Sequence, residues 1–113
     1  MADCLFCSIV AEEIPADIVL SNDDVVAFRD IAPQAPVHVL VVPRDHHANV
    51  GELASAAPAT TATLLQAAQE VAADEGVGDA YRVVFNTGAG AGQTVFHVHA
   101  HVIGGRKLEW PPG

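Results

Sequence analysis

Three histidines alternate with apolar residues near the end of the chain, in the run His97-Val98-His99-Ala100-His101. Side chains of a β-strand point alternately to opposite faces, so a strand here would place the three imidazoles on one face and the apolar residues on the other. A neutral imidazole can attack an electrophile and can also transfer a proton near pH 7. This run is therefore the first candidate for chemistry.

Three interpretations of the run compete. A solvated, histidine-rich strand face is the plainest, but three alternating histidines are rarely accidental in a chain that has 6 in all. A three-histidine metal site would have to bring residues about 13 Å apart on a straight strand to within about 2 Å of one ion. Nucleophilic catalysis fits best, because one imidazole can attack while its neighbours set its tautomer and protonate a leaving group.

Two cysteines near the start, Cys4 and Cys7, have the C-x-x-C spacing of a half zinc site or a redox pair. A redox pair is expected within a β-α-β pattern, which this sequence does not show. A zinc site needs two further ligands, and two unliganded thiols near a helix start remain the simple alternative. Either way, the spacing fits a reducing compartment better than a disulfide scaffold.

Hydrophobic periodicity predicts the elements that position these residues. Apolar residues at helical spacing predict a short helix over 6–13, limited by Pro15, and a long Ala-rich helix from Pro58 to Glu75, stopped by Gly76. Runs of β-branched residues predict five strands, over 18–20, 25–28, 37–42, 81–86 and 94–103. Hairpins in place of alternating β-α-β units predict an α+β fold with a five-stranded antiparallel sheet, one long helix and one short helix.

Composition and charge limit the partners. The length of 113 residues predicts a single domain over 1–113. A net charge of -9, from 5 Lys+Arg and 14 Asp+Glu, argues against polymeric nucleic acid. It leaves a single nucleotide possible, because backbone N–H groups alone can hold one phosphate.

The hydrophobic residues predict a location and an assembly. No run reaches the roughly 18 apolar residues of a membrane span, and Met1-Ala2-Asp3-Cys4 has no basic n-region, so we expect a cytoplasmic protein without membrane contact. Half of the residues are hydrophobic, which is generous for so short a chain. We therefore expect an apolar face to be buried in a homodimer.

The run from His97 to Ile103 resembles the signature of the histidine triad (HIT) family. The resemblance covers nearly the whole chain, through the segments Phe28–Ile31, Pro33–Pro36, His38–Pro43 and Gly92–Thr94. The ending Gly104-Gly105-Arg106, followed by Trp110-Pro111-Pro112-Gly113, is similar to the nucleotide-binding (Hint) branch. The resemblance implies a HIT-like fold, nucleoside phosphoramidase activity and a homodimer that extends the sheet.

The resemblance implies a role for each of four catalytic histidines. His99 would attack the α-phosphorus to give a nucleotidyl-imidazole intermediate, which water then hydrolyses. His101 would contact the phosphate and assist proton transfer to the leaving amine, and the carbonyl of His97 would accept the Nδ1 proton of His99. His38 would be a supporting polar group, although a histidine on an apolar strand is more often an ordinary interior residue.

The resemblance also implies a purine mononucleotide site with apolar walls for the base, a carboxylate for the ribose and backbone amides for the phosphate. The implied nucleotide-binding residues are Leu5, Phe6, Ile9, Phe28, Asp30, Ile31, Asn86, Gly92, Gln93, Thr94, His99 and His101. The residues alone leave a second interpretation open for some of them. Phe28 and Ile31 could equally belong to the core, and Asp30 could be only a turn former.

A structural zinc ion is the one cofactor that the resemblance implies, and none is expected for catalysis. Some bacterial triad proteins complete a zinc site with a histidine after the third strand and with the first triad histidine. The matching positions are His46 and His97, which with Cys4 and Cys7 would form a closed tetrahedral set.

The implied reaction is hydrolysis of the P–N bond of purine nucleoside phosphoramidates of the AMP or GMP type. Two alternatives remain open. One is hydrolysis of dinucleoside polyphosphates, the chemistry of another triad branch, against which the ending Trp110–Gly113 weighs. The other is a nucleotide-binding scaffold or interaction module without turnover.

Overall fold

A computed structural model describes residues 4–113. Its elements in chain order are α1 (Leu5–Val10), β1 (Ile18–Ser21), β2 (Val25–Arg29), β3 (Val37–Pro43), α2 (Val50–Ala56), α3 (Pro58–Asp74), β4 (Tyr81–Val84), a 3-10 turn (Ala89–Ala91) and β5 (Ala100–Gly104). The predicted α+β fold with a five-stranded antiparallel sheet and a long helix is confirmed. No helix within 4–113 is long and apolar enough to cross a membrane.

The sheet has the strand order β1-β2-β3-β5-β4, and every neighbouring pair is antiparallel. The strand β3 is central, and its β-branched residues suit a strand that is buried on both faces. In the register of β3 with β5, Leu40 lies opposite His101. His38, two residues before Leu40, therefore shares a face with His101 and is its diagonal neighbour.

The long helix α3 covers one face of this sheet. Pro58 occupies its first turn, and Gly76 follows its end with a φ of 83°, a left-handed conformation that glycine adopts without strain. Buried alanines on the helix let it lie close to the strands. The buried core on this face consists of Val25, Ala27, Val39, Val41, Leu53, Leu64, Ala67, Ala68, Val71, Ala72, Val98, Ala100 and Val102.

The opposite face of the sheet carries the short helix α1. Phe6 and Ile9 of α1 pack in a second cluster with Val26, Phe28, Leu40 and Val42. Because strand residues alternate, Phe28 and Leu40 point to this face while their neighbours point to α3. His38 and His101 belong to the α1 face, and the helix α1 and His101 border the same cavity.

The predicted strand over 94–103 is wrong in its first half, because β5 contains only Ala100–Gly104. The N–H of Val98 donates to the carbonyl of His47 at 2.7 Å, and Nε2 of His97 lies 2.9 Å from the carbonyl oxygen of Pro43. The backbone around His97 and His99 is thus held by the end of β3 and the loop after it. The predicted alternation nevertheless holds, since Val98, Ala100 and Val102 are buried under α3.

Two other elements end at least two residues earlier than predicted, and one helix was not predicted. The first helix ends at Val10, and the turn after it includes Glu12 with a φ of 61°. The strand β4 ends at Val84, so Asn86 lies in the following loop. The helix α2 was not predicted, although Asn49 caps it by accepting a hydrogen bond from the N–H of Glu52. The sequence does carry a signal for that helix, the spacing Asn-x-x-Glu of a capping motif.

Candidate active site

His99 is buried, and one hydrogen bond defines its chemistry. Its Nδ1 lies 2.8 Å from the carbonyl oxygen of His97. A carbonyl only accepts, so Nδ1 carries the proton of the neutral ring, and the free electron pair is on Nε2. Within the part of the chain that the structure describes, Nε2 makes no hydrogen bond, and His99 lines a mostly apolar cavity. The ring is therefore held in the tautomer that a nucleophile needs.

His101 follows on β5 and touches His99, with ring centroids 4.9 Å apart. Its Nδ1 lies 2.9 Å from Nε2 of His38, and that same Nε2 lies 3.4 Å from Oδ2 of Asp30. The four predicted catalytic histidines thus divide into two sets. His99, His101 and His38 form a connected row, of which His99 and His101 line the cavity, whereas the ring of His97 points away into the cysteine pair.

A cavity of about 570 Å³ opens beside these rings. Its wall is mostly apolar, and the ring of Phe6 stands edge-on to His99 at a centroid distance of 5.0 Å. The predicted nucleotide-binding residues that line it are Leu5, Phe6, Ile9, Phe28, Asp30, Ile31, Thr94, His99 and His101. Sequence reasoning missed other lining residues, which are Ile14, Pro15, Ala16, Asp17, Arg29, Leu40 and Val95. A volume of this size and an apolar lining are typical of a small-molecule site.

Asp30 combines the two interpretations that the sequence left open for it, whereas Ile31 fits only one of its two. Oδ1 of Asp30 accepts a hydrogen bond from the N–H of Ala32 at 2.8 Å, so this carboxylate does shape the turn after β2. It also lines the cavity, with its second oxygen near His38. Ile31 is 100% exposed and so is not a core residue.

The three remaining predicted residues do not line the cavity. Gln93 is buried, and its side chain holds the surrounding loops by accepting from Gly88 N–H and donating to Ala48 and Val95 carbonyls. The N–H groups of Gly92 and Gln93 donate to carbonyls of the same loop, so they are not free for a phosphate. Thr94 differs, because within 4–113 its N–H has no acceptor. Asn86 borders the loop at Gly92.

Burial shifts the pKa values of two histidines in this row. Burial lowers the pKa of His101 to about 4, with further lowering by His99 and His38 and an opposing effect of Asp30. Burial also lowers the pKa of His38 against the opposing charge of Asp30. Both rings are therefore neutral at pH 7, which keeps positive charge away from the attacking His99.

This shift predicts a pH-dependent stability. Between about pH 6.5 and 4 the unfolded chain protonates His101 while the folded protein does not, so the free energy of unfolding falls as the pH falls through that window. The slope is at most about 1.4 kcal/mol per pH unit for one histidine. Urea denaturation of the wild type and of His101→Gln isolates this contribution. The stability difference between the two proteins should shrink from pH 7 to pH 4, and a constant difference would contradict the shift.

Apart from the histidine row, the structure brings together a cysteine–histidine cluster. Its members are Cys4, Cys7, His46 and His97, and their ligand atoms all lie within 4.8 Å of one another. Nδ1 of His97 is 3.4 Å from Sγ of Cys4 and 3.4 Å from Sγ of Cys7, and Nδ1 of His46 is 3.4 Å from Sγ of Cys7. Tetrahedral zinc, with bonds of about 2.3 Å to sulfur and 2.0 Å to nitrogen, separates such ligand atoms by roughly 3.5 Å. The donor set and its spacing fit zinc.

The orientation of His97 supports the same assignment. Its Nε2 donates to the carbonyl of Pro43, which leaves the electron pair of the neutral ring on Nδ1, toward the thiols. Burial lowers the pKa of His97 and so favours that neutral form. The carbonyl of His97 holds His99 while its ring faces the cysteines, so one residue links the cysteine–histidine cluster to the candidate nucleophile.

Comparisons with known proteins agree with this geometry. The model of the HIT domain matches residues 11–108. The chain is 50% identical over 111 residues to an uncharacterized HIT-like protein of Synechococcus elongatus, covering 98% of this chain and 97% of that protein. A HIT family hydrolase from Legionella pneumophila superposes with a TM-score of 0.94 at 44% identity, covering 98% of this chain and 100% of that one. A HIT family hydrolase from Clostridium thermocellum superposes with a TM-score of 0.92 at 41% identity, covering 96% of each chain.

Proposed function

Because the chain belongs to the HIT family, we propose that it is a nucleotide hydrolase that cleaves purine nucleoside phosphoramidates. The observation that carries the proposal is the free electron pair on Nε2 of His99, fixed by the carbonyl of His97 beside an apolar cavity. Such a group can displace an amine from phosphorus without a metal ion or an organic cofactor.

The first step forms a covalent intermediate. Nε2 of His99 bonds to the α-phosphorus, and the P–N bond of the substrate breaks with its electron pair passing to the leaving nitrogen. That nitrogen takes up a proton and departs as the amine. His101 contacts the phosphate and assists this proton transfer, and the carbonyl of His97 stabilises the positive charge on the ring of His99 through its Nδ1–H.

The second step releases the nucleotide. Water attacks the phosphorus, a new P–O bond forms, and the bond to Nε2 of His99 breaks so that the electron pair returns to the ring. The water gives up one proton, which balances the proton that the amine took up. Of the three N–H groups predicted to hold the phosphate, that of Thr94, on the cavity wall, is the one left to do so, because those of Gly92 and Gln93 are already engaged.

The walls of the cavity suit a purine nucleoside. Phe6 and Phe28 pack edge-on at a centroid distance of 5.4 Å and, with Leu5 and Ile9, offer a flat apolar slot for a base. Asp30 lines the same cavity next to His38, and its carboxylate can accept hydrogen bonds from ribose hydroxyls. The adenine or guanine preference is left open by this lining, because apolar contacts tolerate either base.

The distribution of positive charge favours a phosphoramidate over a dinucleoside polyphosphate. The five Lys and Arg side chains all contact partners, which are Asp17 and Glu75 for Arg29, Ser21 and Asn22 for Arg44, Glu109 for Arg82, Gln34 for Arg106 and Glu109 for Lys107. Only Arg29 lines the cavity, and two carboxylates already neutralise it. A chain of several phosphates would find few cations here, whereas an α-phosphate with one negative charge needs few.

A direct assay tests the proposal. We expect the protein to release the amine and AMP from a fluorogenic adenosine phosphoramidate, with a kcat/KM at least about tenfold above that for diadenosine tetraphosphate, which corresponds to roughly 1.4 kcal/mol of transition-state discrimination. Faster cleavage of the tetraphosphate would favour the other triad branch. Tight AMP binding without turnover of either compound would favour a nucleotide-binding scaffold.

We also propose that the protein is a homodimer. The strand β4 forms one edge of the sheet, and all four of its residues are only half-buried. Leu65 on α3 is 48% exposed and Trp110 near the end of the chain is 82% exposed, so a second copy could cover apolar surface. Sedimentation velocity at micromolar concentration tests this, and a monomer at all concentrations would contradict it.

A structural zinc ion at Cys4, Cys7, His46 and His97 completes the proposal. These four residues would saturate a tetrahedral ion and leave no position for water or substrate, so the ion would stabilise the fold and take no part in the reaction. It would tie the N-terminal segment to the loop after β3 and to the residues before β5.

A further inference from the structure

The loop between β2 and β3 presents one peptide N–H to the active-site histidines. The N–H of Gln34 donates to Nδ1 of His38 at 2.9 Å, and Nε2 of the same ring lies 2.9 Å from Nδ1 of His101. A peptide N–H can only donate, so Nδ1 of His38 is the acceptor and carries no proton.

This one bond places every proton of the histidine pair. A neutral imidazole carries one ring proton, so the proton of His38 is on Nε2 and is donated to Nδ1 of His101. His101 accepts at Nδ1, and its own proton is therefore on Nε2. Oδ2 of Asp30, 3.4 Å from Nε2 of His38, is a second acceptor and favours the same placement.

The residue that supplies the N–H is held on several sides. The side chain of Gln34 donates to the carbonyl of Ala32 at 3.0 Å, and Nε of Arg106 donates to the carbonyl of Gln34 at 3.0 Å. Pro36 packs against Gly105 so closely that a Cβ there would lie 2.9 Å from the proline ring. These contacts fix the orientation of the N–H.

The side chains of Asp30, His38 and His101 also resemble a metal site, because each places a ligand atom within 4.8 Å of the others. A metal ion would need the electron pair on Nε2 of His38. The N–H of Gln34 donates to the electron pair on Nδ1 of His38, so the ring proton is on Nε2. A shared proton fits this network better than a cation.

We propose that the backbone N–H of Gln34 is a positioning group that holds His38 and His101 in one tautomeric arrangement, so that His101 acts on the substrate as a neutral Nε2–H donor. His101 then assists by hydrogen bonding to the phosphate or the leaving nitrogen and keeps its own proton. The leaving nitrogen takes its proton from water, and the hydrolysis step returns one. This catalytic consequence rests on the proposed function, whereas the proton positions do not.

Burial, His99 and His38 oppose protonation of His101, and the carboxylate of Asp30 offsets them only in part. The titratable groups that face it are His99 before it, His38 from β3 and Asp30 from the end of β2. A second proton would have to enter at Nδ1, against the Nε2–H of His38. The pKa of about 4 agrees with this geometry.

Two substitutions at one position separate the N–H from the side chain. Gln34→Pro removes the N–H donor, whereas Gln34→Ala keeps it and removes only the contact to Ala32. Nitrogen-15 NMR should show Nε2–H tautomers for His38 and His101 in the wild type and in Gln34→Ala. In Gln34→Pro we expect His38 to gain a proton on Nδ1 and His101 to titrate nearer pH 6.5. The kcat with a phosphoramidate should fall about tenfold at little change in KM, as for the loss of one hydrogen bond.

The outcomes decide the proposal. It is overturned if His38 carries its proton on Nδ1 in the wild type, or if the two variants show the same ring-proton pattern. If Gln34→Pro does not fold, nitrogen–nitrogen couplings across the hydrogen bonds of the wild type test the proposal instead. Couplings from Gln34 to His38 and from His38 to His101 would support it, and the lack of either would overturn it. The NMR measurements use no substrate, so expected tautomers without phosphoramidase activity would contradict the proposed function alone.

Discussion

Replacing His99 with alanine is expected to leave less than about one hundredth of the wild-type kcat, because removal of a nucleophile costs orders of magnitude. The free electron pair lies on Nε2 of His99, since Nδ1 donates to the carbonyl of His97. His101 cannot replace it, because the hydrogen-bond network places a proton on its Nε2. AMP affinity should change only a few-fold, since the apolar slot and Asp30 remain. Steady-state kinetics with a phosphoramidate and calorimetry with AMP measure the two effects.

Two further measurements make this result specific to the nucleophile. His47→Ala removes a histidine that lies outside the cavity lining and is expected to keep wild-type kcat. Mass spectrometry after rapid denaturation should detect a nucleotidyl adduct on the wild type and none on His99→Ala. An alanine variant that keeps more than about one hundredth of the activity, or that still forms the adduct, would contradict a nucleophilic His99.

The alternation of apolar residues and histidines correctly predicted which side chains of the triad segment are buried, but it did not predict where the strand begins. Alternation alone places Val98, Ala100 and Val102 in the core, and the structure buries all three under α3. Where a strand begins depends on backbone hydrogen bonds to neighbouring strands, and those strands are distant in the sequence. The N–H of Val98 finds the carbonyl of His47 in a loop instead of a strand neighbour, and no local pattern encodes that contact.

In the candidate site too, the side chains were predicted correctly more often than the backbone N–H groups were. Phe6, Phe28 and Asp30 were predicted at the nucleotide site, and they do line the cavity. The N–H of Gln34 was not predicted, because every residue except proline carries one and its type gives no signal. The phosphate cradle over Gly92–Thr94 was expected from the family resemblance. In the structure two of its three N–H groups donate within their own loop.

Removing zinc is expected to lower the melting temperature by on the order of 10 °C or more, because binding free energy at a structural site becomes folding free energy and about 1 kcal/mol shifts a domain of this size by roughly 4 °C. The purified protein should carry about one zinc per chain. Its four ligands connect α1, the loop after β3 and the residues before β5, which no disulfide joins within 4–113. Elemental analysis and thermal melts with and without a chelator measure both quantities.

The adjacent histidines of the loop after β3 supply a matched pair of variants. His46→Asn removes a ligand atom that lies 3.4 Å from Sγ of Cys7, so this variant should lose zinc and melt near the temperature of the double variant Cys4→Ser/Cys7→Ser. His47→Asn changes the same residue type one position later, outside the cluster, and should keep zinc and stability.

Activity should decline less than stability when the ion is lost. The proposed reaction uses Nε2 of His99 and Nε2–H of His101, and neither atom belongs to the cysteine–histidine cluster. The coupling between the two sites runs through the carbonyl of His97, which positions His99 while the ring of the same residue faces the thiols. We therefore expect a few-fold lower kcat for His46→Asn below its melting temperature. Wild-type protein that is free of zinc after zinc-replete expression, and as stable as the double cysteine variant, would instead make Cys4 and Cys7 ordinary thiols.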